Sequence, residues 1–332
     1  MLFKSEDIGI DLGTSSILVC VNGQGILYKE PSVVAISMDD NEPVAFGEEA
    51  RKMIGRTPDN IKAIHPLKHG VISNISLTEK MIKHYIEEAL GKVTLRKPRV
   101  VICVPSNVTE IEKKAVEDAA FNAGAREVKV VEEPLAAALG ADIDIHKPEG
   151  SMVGDTGGGT TDIADVSMGG IVARRSVKVA GDDFDQAIID YLKTSHSLLV
   201  GERTAENIKM EIGRAIPVED NELRKSMKVK GRNTQNGYPG DKNIDDEEMY
   251  EALKNCVNAI IDGIKKVFEN TPPELAADIF EKGIYLTGGG SKLWGLDKAI
   301  SNEIGVEVLT VDDPIKCVSK GLLKVIHDLD NK

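Results

Sequence analysis

The residues best equipped for chemistry lie in "MVGDTGGGTTD", residues 152–162, where three glycines separate Asp155 from two threonines and Asp162. Glycine loses more chain entropy than any other residue and packs nothing, so a run of three marks a tight turn or a close backbone approach. A second stretch, "IGIDLGTSS" at 8–16, repeats the order of apolar residues, aspartate, glycine and small hydroxyl residues. Each reads as a strand entering a turn whose free N–H groups and hydroxyls could hold an anion, with the aspartate near a metal. Together they point to phosphate chemistry, with Mg²⁺ beside Asp11 and Asp155. The competing reading of each stretch is an ordinary glycine-rich hairpin capped by its aspartate. No GxxxxGK[ST] occurs, and no GxGxxG joins a strand to a helix at the right spacing, which argues against P-loop and Rossmann sites. The glycines here join strand to strand, so the phosphate would sit between two hairpins, one from each half of the chain.

Such loops need rigid flanking elements. Between residues 8 and 37, "IGIDLG", "SILVCV", "GILY" and "SVVAIS" read as a meander of strands. "SLTEKMIKHYIEEAL" opens on a Ser76-x-x-Glu79 capping box and places Leu77, Met81, Ile82, Tyr85, Ile86 and Ala89 on one helical face. "RVVICVP" (99–105) is a continuous apolar strand, followed by a second box, Thr109-x-x-Glu112, and a helix closing at Gly124. After the strand "EVKVV", Pro134 opens "PLAAALGA" and biases Glu133 towards an extended conformation facing a cleft, whereas Glu132 is expected to point to solvent. Residues 151–179 restart the strand programme, and helices follow at 183–195, 204–216 and 246–268. "KGIYLTGGGSKLWGLDKAISNEIGVEV" then supplies a strand, a third glycine cluster, a helix and a strand. The economical reading is an α/β fold, a duplicated domain with a nucleotide in the cleft.

Composition narrows the function classes. The chain of 332 residues is long enough for two domains, and 41 Lys plus Arg against 54 Asp plus Glu give a formal charge of −13. That charge opposes non-specific contact with nucleic acid or an anionic membrane. Cys20, Cys103, Cys256 and Cys317 are far apart and read as thiols of a reducing compartment. No segment approaches a membrane span, which makes the cytoplasm the expected location. His65 and His69 flank Pro66, so they are unsuited to a shared helical metal site.

Five segments resemble, in order, the motifs of the actin, heat-shock-chaperone and sugar-kinase superfamily, and within it the MreB family of bacterial actin homologues. "GIDLGTSSILVCVNGQGILYKEPSVVAI" is similar to that family's first phosphate loop and following strands, "VVEEPLAAALGA" to its linking motif and "DTGGGTTDIADVSMGGIV" to its second phosphate loop. "VGERTAENIKMEIG" is similar to its adenosine segment and "YLTGGGSKLWGLD" to its closing glycine loop. The resemblance implies duplicated actin-like (ribonuclease H-like) domains with a nucleotide cleft between them. Domain I would span 1–145 with an insertion near 33–75, and domain II 146–332 with an insertion near 182–260.

By the same resemblance ATP and Mg²⁺ are the cofactors. Thr14, Ser15 and Ser16 would bind phosphate from the first loop, and Gly157, Gly158 and Gly159 from the second. Glu206, Asn207, Ile208 and Lys209 would adjoin ribose and adenine, although spacing alone makes Glu206 and Lys209 a surface ion pair. Gly288, Gly289, Gly290 and Ser291 would close over adenine and the α-phosphate; as a bare pattern they are a strand-to-helix turn. Glu133 and Thr160 would work on the attacking water. Asp162, past the turn by strand alternation, is expected to be structural. The family likeness further implies filaments at the inner face of the cytoplasmic membrane, acting with cell-shape or cell-wall machinery, and no nucleic acid partner. "GKVTLRKPR" (91–99), with Leu2 and Phe3, is the membrane-contact expectation. Departures from the family pattern, Ser15-Ser16 for Ala-Asn, Gly154 and Thr156 around Asp155, and Asn74 for aspartate, leave every named catalytic group in place. A sugar-kinase-like phosphotransferase is the alternative, and a chaperone ATPase would need a peptide-binding domain beyond residue 332.

Overall fold

A computed structural model describes residues 7–91, 97–106, 108–218 and 224–330. The first half opens with an antiparallel meander of β1 (Ile8–Leu12), β2 (Ser16–Val21) and β3 (Gly25–Pro31). The fourth expected strand of that meander leaves it. β4 (Val34–Ser37) instead pairs with β5 (Pro43–Phe46) and, after α1 (Gly47–Met53), with β6 (Ile61–Ile64), in a separate three-stranded sheet. A short hairpin, β7 (Leu67–Lys68) and β8 (Val71–Ile72), leads into α2 (Ile75–Leu90). β9 (Arg99–Val104), α3 (Glu110–Asn122), β10 (Glu127–Glu132) and α4 (Glu133–Gly140) complete this half. β9 joins β1 and β10 joins β9 in parallel, a pairing that needs crossover connections, here carrying α2 and α3.

The second half repeats the plan. β11 (Ser151–Thr156), β12 (Thr161–Ser167) and β13 (Gly170–Val177) form the meander. They are followed by α5 (Gly181–His196), β14 (Leu198–Leu199), α6 (Glu202–Ile212), β15 (Ser226–Asn233), β16 (Pro239–Asp245), α7 (Asp246–Phe268) and α8 (Pro273–Lys282). β17 (Ile284–Thr287), α9 (Leu296–Ile304), β18 (Val308–Thr310) and α10 (Cys317–Asp330) close the chain. The two main sheets run β3-β2-β1-β9-β10 and β13-β12-β11-β17-β18, the same order of three antiparallel and two parallel strands. The sequence duplication is thus a structural one. The smaller sheet β14-β15-β16 belongs to the second half.

Local sequence explains most boundaries. Thr109 and Glu112 form the expected reciprocal capping box of α3. At α2 the cap is Asn74, whose Oδ1 accepts from Leu77 N at 3.0 Å, so the helix starts before Ser76 and the expected Ser76 box does not form. Leu77, Met81, Ile82, Tyr85 and Ile86 are buried as the periodicity requires. α6 stops at Ile212 rather than 216, because Gly213 takes an extended conformation.

The halves meet through crossed helices. α10 lies on α4 and against β1, β2 and β9 of the first half, while α4 reaches β11 and β12 of the second. Small residues permit the approach: a Cβ on Gly321 would fall 1.8 Å from the Ala136 carbonyl oxygen, and one on Gly140 1.8 Å from that of Cys317. α10 therefore packs on the first half although its sequence lies in the second.

Candidate functional site

The β1–β2 and β11–β12 turns face each other across a cavity of about 830 Å³ between the halves. A space of that size suits a small-molecule ligand. Its walls include Asp11, Gly13, Thr14, Ser15, Ser16, Glu133, Asp155, Gly157, Gly158, Gly159 and Thr160. Glu206, Lys209, Arg214, Gly288, Gly289, Gly290 and Trp294 also line it. The structure places Asn207, Ile208 and Ser291 elsewhere. Asn207 is exposed, Ile208 is in the hydrophobic core, and the buried Ser291 hydroxyl donates to Gly288 O at 2.7 Å. On a helix, neighbours in sequence point apart, so Glu206 and Lys209 share a face that their intervening residues do not.

The glycines have distinct duties. None of Gly157, Gly158 and Gly159 needs a positive φ. A Cβ on Gly157 would meet only Thr160 O at 3.5 Å, but on Gly158 it would lie 1.8 Å from Ser15 Oγ, and on Gly159 2.7 Å from Thr14 Cγ2. The bare backbone therefore lets the two loops touch across the cleft. In the third cluster, Gly288 and Gly290 are pressed against Thr156, whereas a Cβ on Gly289 would meet only Ile315 at 3.8 Å. Gly289 is the one of the three with open space beside it.

Polar pairs span the cleft. Ser15 Oγ donates to Asp182 Oδ1 at 2.6 Å, Arg51 Nη2 lies 3.4 Å from Glu206 Oε2, and His69 Nδ1 lies 3.9 Å from Asp183 Oδ2. His69 and Gly70 form the β7–β8 turn, where Gly70 N donates to Thr14 Oγ1 at 3.0 Å. Lys209 is held by Gly181 O at 2.9 Å and Asp185 Oδ2 at 3.0 Å. Sequence reading missed Asp182, Asp183, Arg51 and the His69 turn. The one local signal was "GDDFD" opening a helix straight after a strand, whose N–H groups bond Gly157 O and Gly158 O.

Asp11, Glu133, Asp155 and Asp162 form a buried acidic cluster. Burial, then the Asp155 carboxylate, pushes Asp11 up to about 8. Burial also raises Asp155 to about 6, against a hydrogen bond from Thr287 Oγ1 at 2.7 Å. Glu133 is raised well above the carboxylate range by burial and then by Asp162, Asp155 and Asp11. Asp162, opposite Asp155 in the β11–β12 register, is buried behind the wall and accepts from Ser106 N at 3.2 Å. It is a structural residue that also bears on Glu133. Glu133 itself is the first residue of α4, with Pro134 next, not the extended strand end expected: a helix's first turn does not require the N–H that proline lacks. Glu132, expected in solvent, pairs with Arg174.

Among the described residues no group of three or more His, Cys, Asp or Glu side chains could ligate a metal alone. Asp11 and Asp155, two carboxylates whose charge burial opposes, fit a hard cation that takes oxygen ligands and keeps several waters.

Two halves of one topology, joined by crossed helices with a glycine turn from each in the cleft, define an actin-like fold. The chain belongs to the MreB/Mbl family, whose model, described as MreB/Mbl protein, matches residues 5–332. It is 46% identical over 326 residues to the cell shape-determining protein Mbl of Bacillus subtilis (strain 168), covering 98% of this chain and 97% of that protein. It is 44% identical over 331 residues to the cell shape-determining protein MreB of Escherichia coli (strain K12), covering 98% and 94%. The crystal structure of MreB 5 of Spiroplasma citri bound to AMPPNP superposes with a TM-score of 0.92 at 35% identity, covering 99% of each chain.

Proposed function

We propose that the chain binds Mg-ATP in this cleft, hydrolyses it slowly, and polymerises into cytoskeletal filaments that help determine cell shape at the inner face of the cytoplasmic membrane. The observation that carries the reading is the cavity between two duplicated hairpin turns, one from each half. The AMPPNP carried by MreB 5 and the cell-shape role in the names of Mbl and MreB support it.

In this reading Thr14, Ser15, Ser16 and the backbone of Gly157–Gly159 take the phosphates, Glu206 and Lys209 the ribose side, and Gly288–Gly290 the base side. Asp11 and Asp155 hold Mg²⁺, which when bound would neutralise charge on the phosphate oxygens. Glu133 and Thr160 orient the attacking water, and Glu133 accepts its proton. Burial first, then the Asp162, Asp155 and Asp11 carboxylates, oppose ionisation of Glu133, and a cation held by Asp11 and Asp155 would remove the part that those two supply. Filament contacts and partners in the cell-shape or cell-wall machinery rest on family membership. Membrane contact rests on the segment 91–99 with Leu2 and Phe3; Leu2, Phe3 and 92–96 lie outside the described residues. Among the described residues no helix is long and apolar enough to cross a membrane. One weak amphipathic contact per subunit gains strength when many copies are linked.

Sedimentation with and without Mg-ATP, with and without anionic vesicles, tests the proposal. Pelleted polymer in the nucleotide state and co-pelleting with vesicles are expected; a chain that stays monomeric across salt, nucleotide and lipid conditions overturns it.

A further inference from the structure

The chain has one tryptophan, Trp294, and it lines the cleft while remaining 45% exposed. Its indole is clamped. The Arg214 guanidinium carbon lies 4.8 Å from the ring centroid, and Lys298 Nζ 5.9 Å from it. Arg214 is itself fixed: its side chain is buried and ion-paired with Asp246, the first residue of α7, whose Oδ2 also accepts from Lys225 N at 2.6 Å. Backbone pairing adds to the clamp, because Arg214 and Trp294 form a β-bridge and Ala215 N donates to Trp294 O at 2.8 Å. An aromatic ring so held has lost its rotamer freedom before any ligand arrives, which removes an ordering cost from binding.

Position gives the ring its target. Lys209 contacts Gly181 beside the second phosphate loop, and Arg214 lies five residues further along, past the end of α6. Trp294 follows the closing glycine turn. The ring lines the same cavity as the two hairpin turns but comes from neither of them, and the flat base is the part of a nucleotide suited to pack on it. A cation on a tryptophan ring is favourable in itself, and a base on such a ring gains stacking that does not depend on reading its hydrogen-bonding edge.

We propose that Trp294, clamped by Arg214, is the stacking wall for the base of the bound nucleotide. This inference rests on the nucleotide reading of the cleft and adds a residue to it. The experiment titrates ATP and, separately, inorganic tripolyphosphate into the full chain while following intrinsic tryptophan fluorescence, which can come only from Trp294. Equilibrium dialysis measures ATP affinity in parallel. Expected are a saturable fluorescence change with ATP at the concentration given by dialysis and none with tripolyphosphate. Trp294→Leu should weaken ATP binding about tenfold, and Trp294→Phe by under about threefold, with both variants melting within a few degrees of the parent. If dialysis shows ATP bound while fluorescence stays unchanged and Trp294→Leu binds as the parent does, the stacking wall is wrong and the nucleotide reading stands. If dialysis shows no ATP bound, both fall.

Discussion

Substituting Gly158 by alanine puts a single methyl group where the two phosphate-loop candidates touch. The new Cβ would lie 1.8 Å from Ser15 Oγ, 2.4 Å from Ser15 Cβ and 3.1 Å from Ser15 N. The hydroxyl can rotate away, giving up its bond to Asp182, but Ser15 Cβ cannot, so the loops must separate by about 1 Å to restore ordinary carbon contact near 3.4 Å. Overpacking of this kind costs roughly 1–3 kcal/mol, which weakens a closed, ligand-holding cleft by about 5- to 150-fold. The assay is Mg-ATP affinity by calorimetry for Gly158→Ala, Gly157→Ala, and Gly158→Ala combined with Ser15→Gly. Gly157→Ala should bind close to the parent, because its Cβ meets only Thr160 O at 3.5 Å. Ser15→Gly removes both clashing atoms together with a phosphate-binding hydroxyl, so it weakens binding by itself, but on that background Gly158→Ala should cost little more, a coupling that a double-mutant cycle with the Ser15→Gly single variant isolates. Parent-like binding by Gly158→Ala, or an equal cost of Gly158→Ala with and without Ser15→Gly, would refute the idea that Gly158 serves loop-to-loop closure.

Stability of the nucleotide-free protein should fall as pH rises. Asp11 is raised to about 8 and Asp155 to about 6 from an ordinary 3.8, chiefly by burial, so between pH 4 and 8 the folded protein holds protons that the unfolded chain has lost. Forcing Asp11 to ionise costs at most about 6 kcal/mol at 1.36 kcal/mol per tenfold step in acidity. Thermal melts in EDTA should show the midpoint dropping from pH 5 to pH 8, with Asp11→Asn flattening the drop and Mg-ATP opposing it. A midpoint that rises over that range contradicts the buried-carboxylate account. Where α10 packs on α4, Gly321→Ala places a methyl 1.8 Å from the Ala136 carbonyl oxygen and should destabilise the fold by about 2 kcal/mol or more, read by urea unfolding. An unchanged midpoint would show that α4 and α10 slide apart freely.

The two hairpin turns were legible because each is local: aspartate, glycines and hydroxyl residues lie within a dozen positions, and their repetition exposed the duplication. Helix faces such as Leu77 to Ile86 were legible through their period. The cap of α2 was misassigned because two good capping residues, Asn74 and Ser76, stand two apart and only the tertiary fold chooses between them. For Glu133 two local rules conflict, the bias against helix before proline and the tolerance of proline in a first turn, and the second prevails. What joins the halves was not legible. Ser15 with Asp182 and Arg51 with Glu206 bring together residues more than a hundred positions apart, and α10 crosses to pack on α4. Nothing in a local window records such pairings. The same holds for Arg214, whose partners Asp246 and Trp294 lie on separate elements.

The central claim, that this cleft is an ATPase site with Glu133 acting on the water, is tested most directly by single-turnover phosphate release from Mg-ATP in the parent and in Glu133→Ala, at saturating protein. Glu133 lines the cavity beside the Asp11 and Asp155 carboxylates. Loss of a positioned proton acceptor should slow release by about 10²- to 10⁴-fold while ATP affinity changes by less than about tenfold. Release at the parental rate from a variant that still binds ATP would contradict the account.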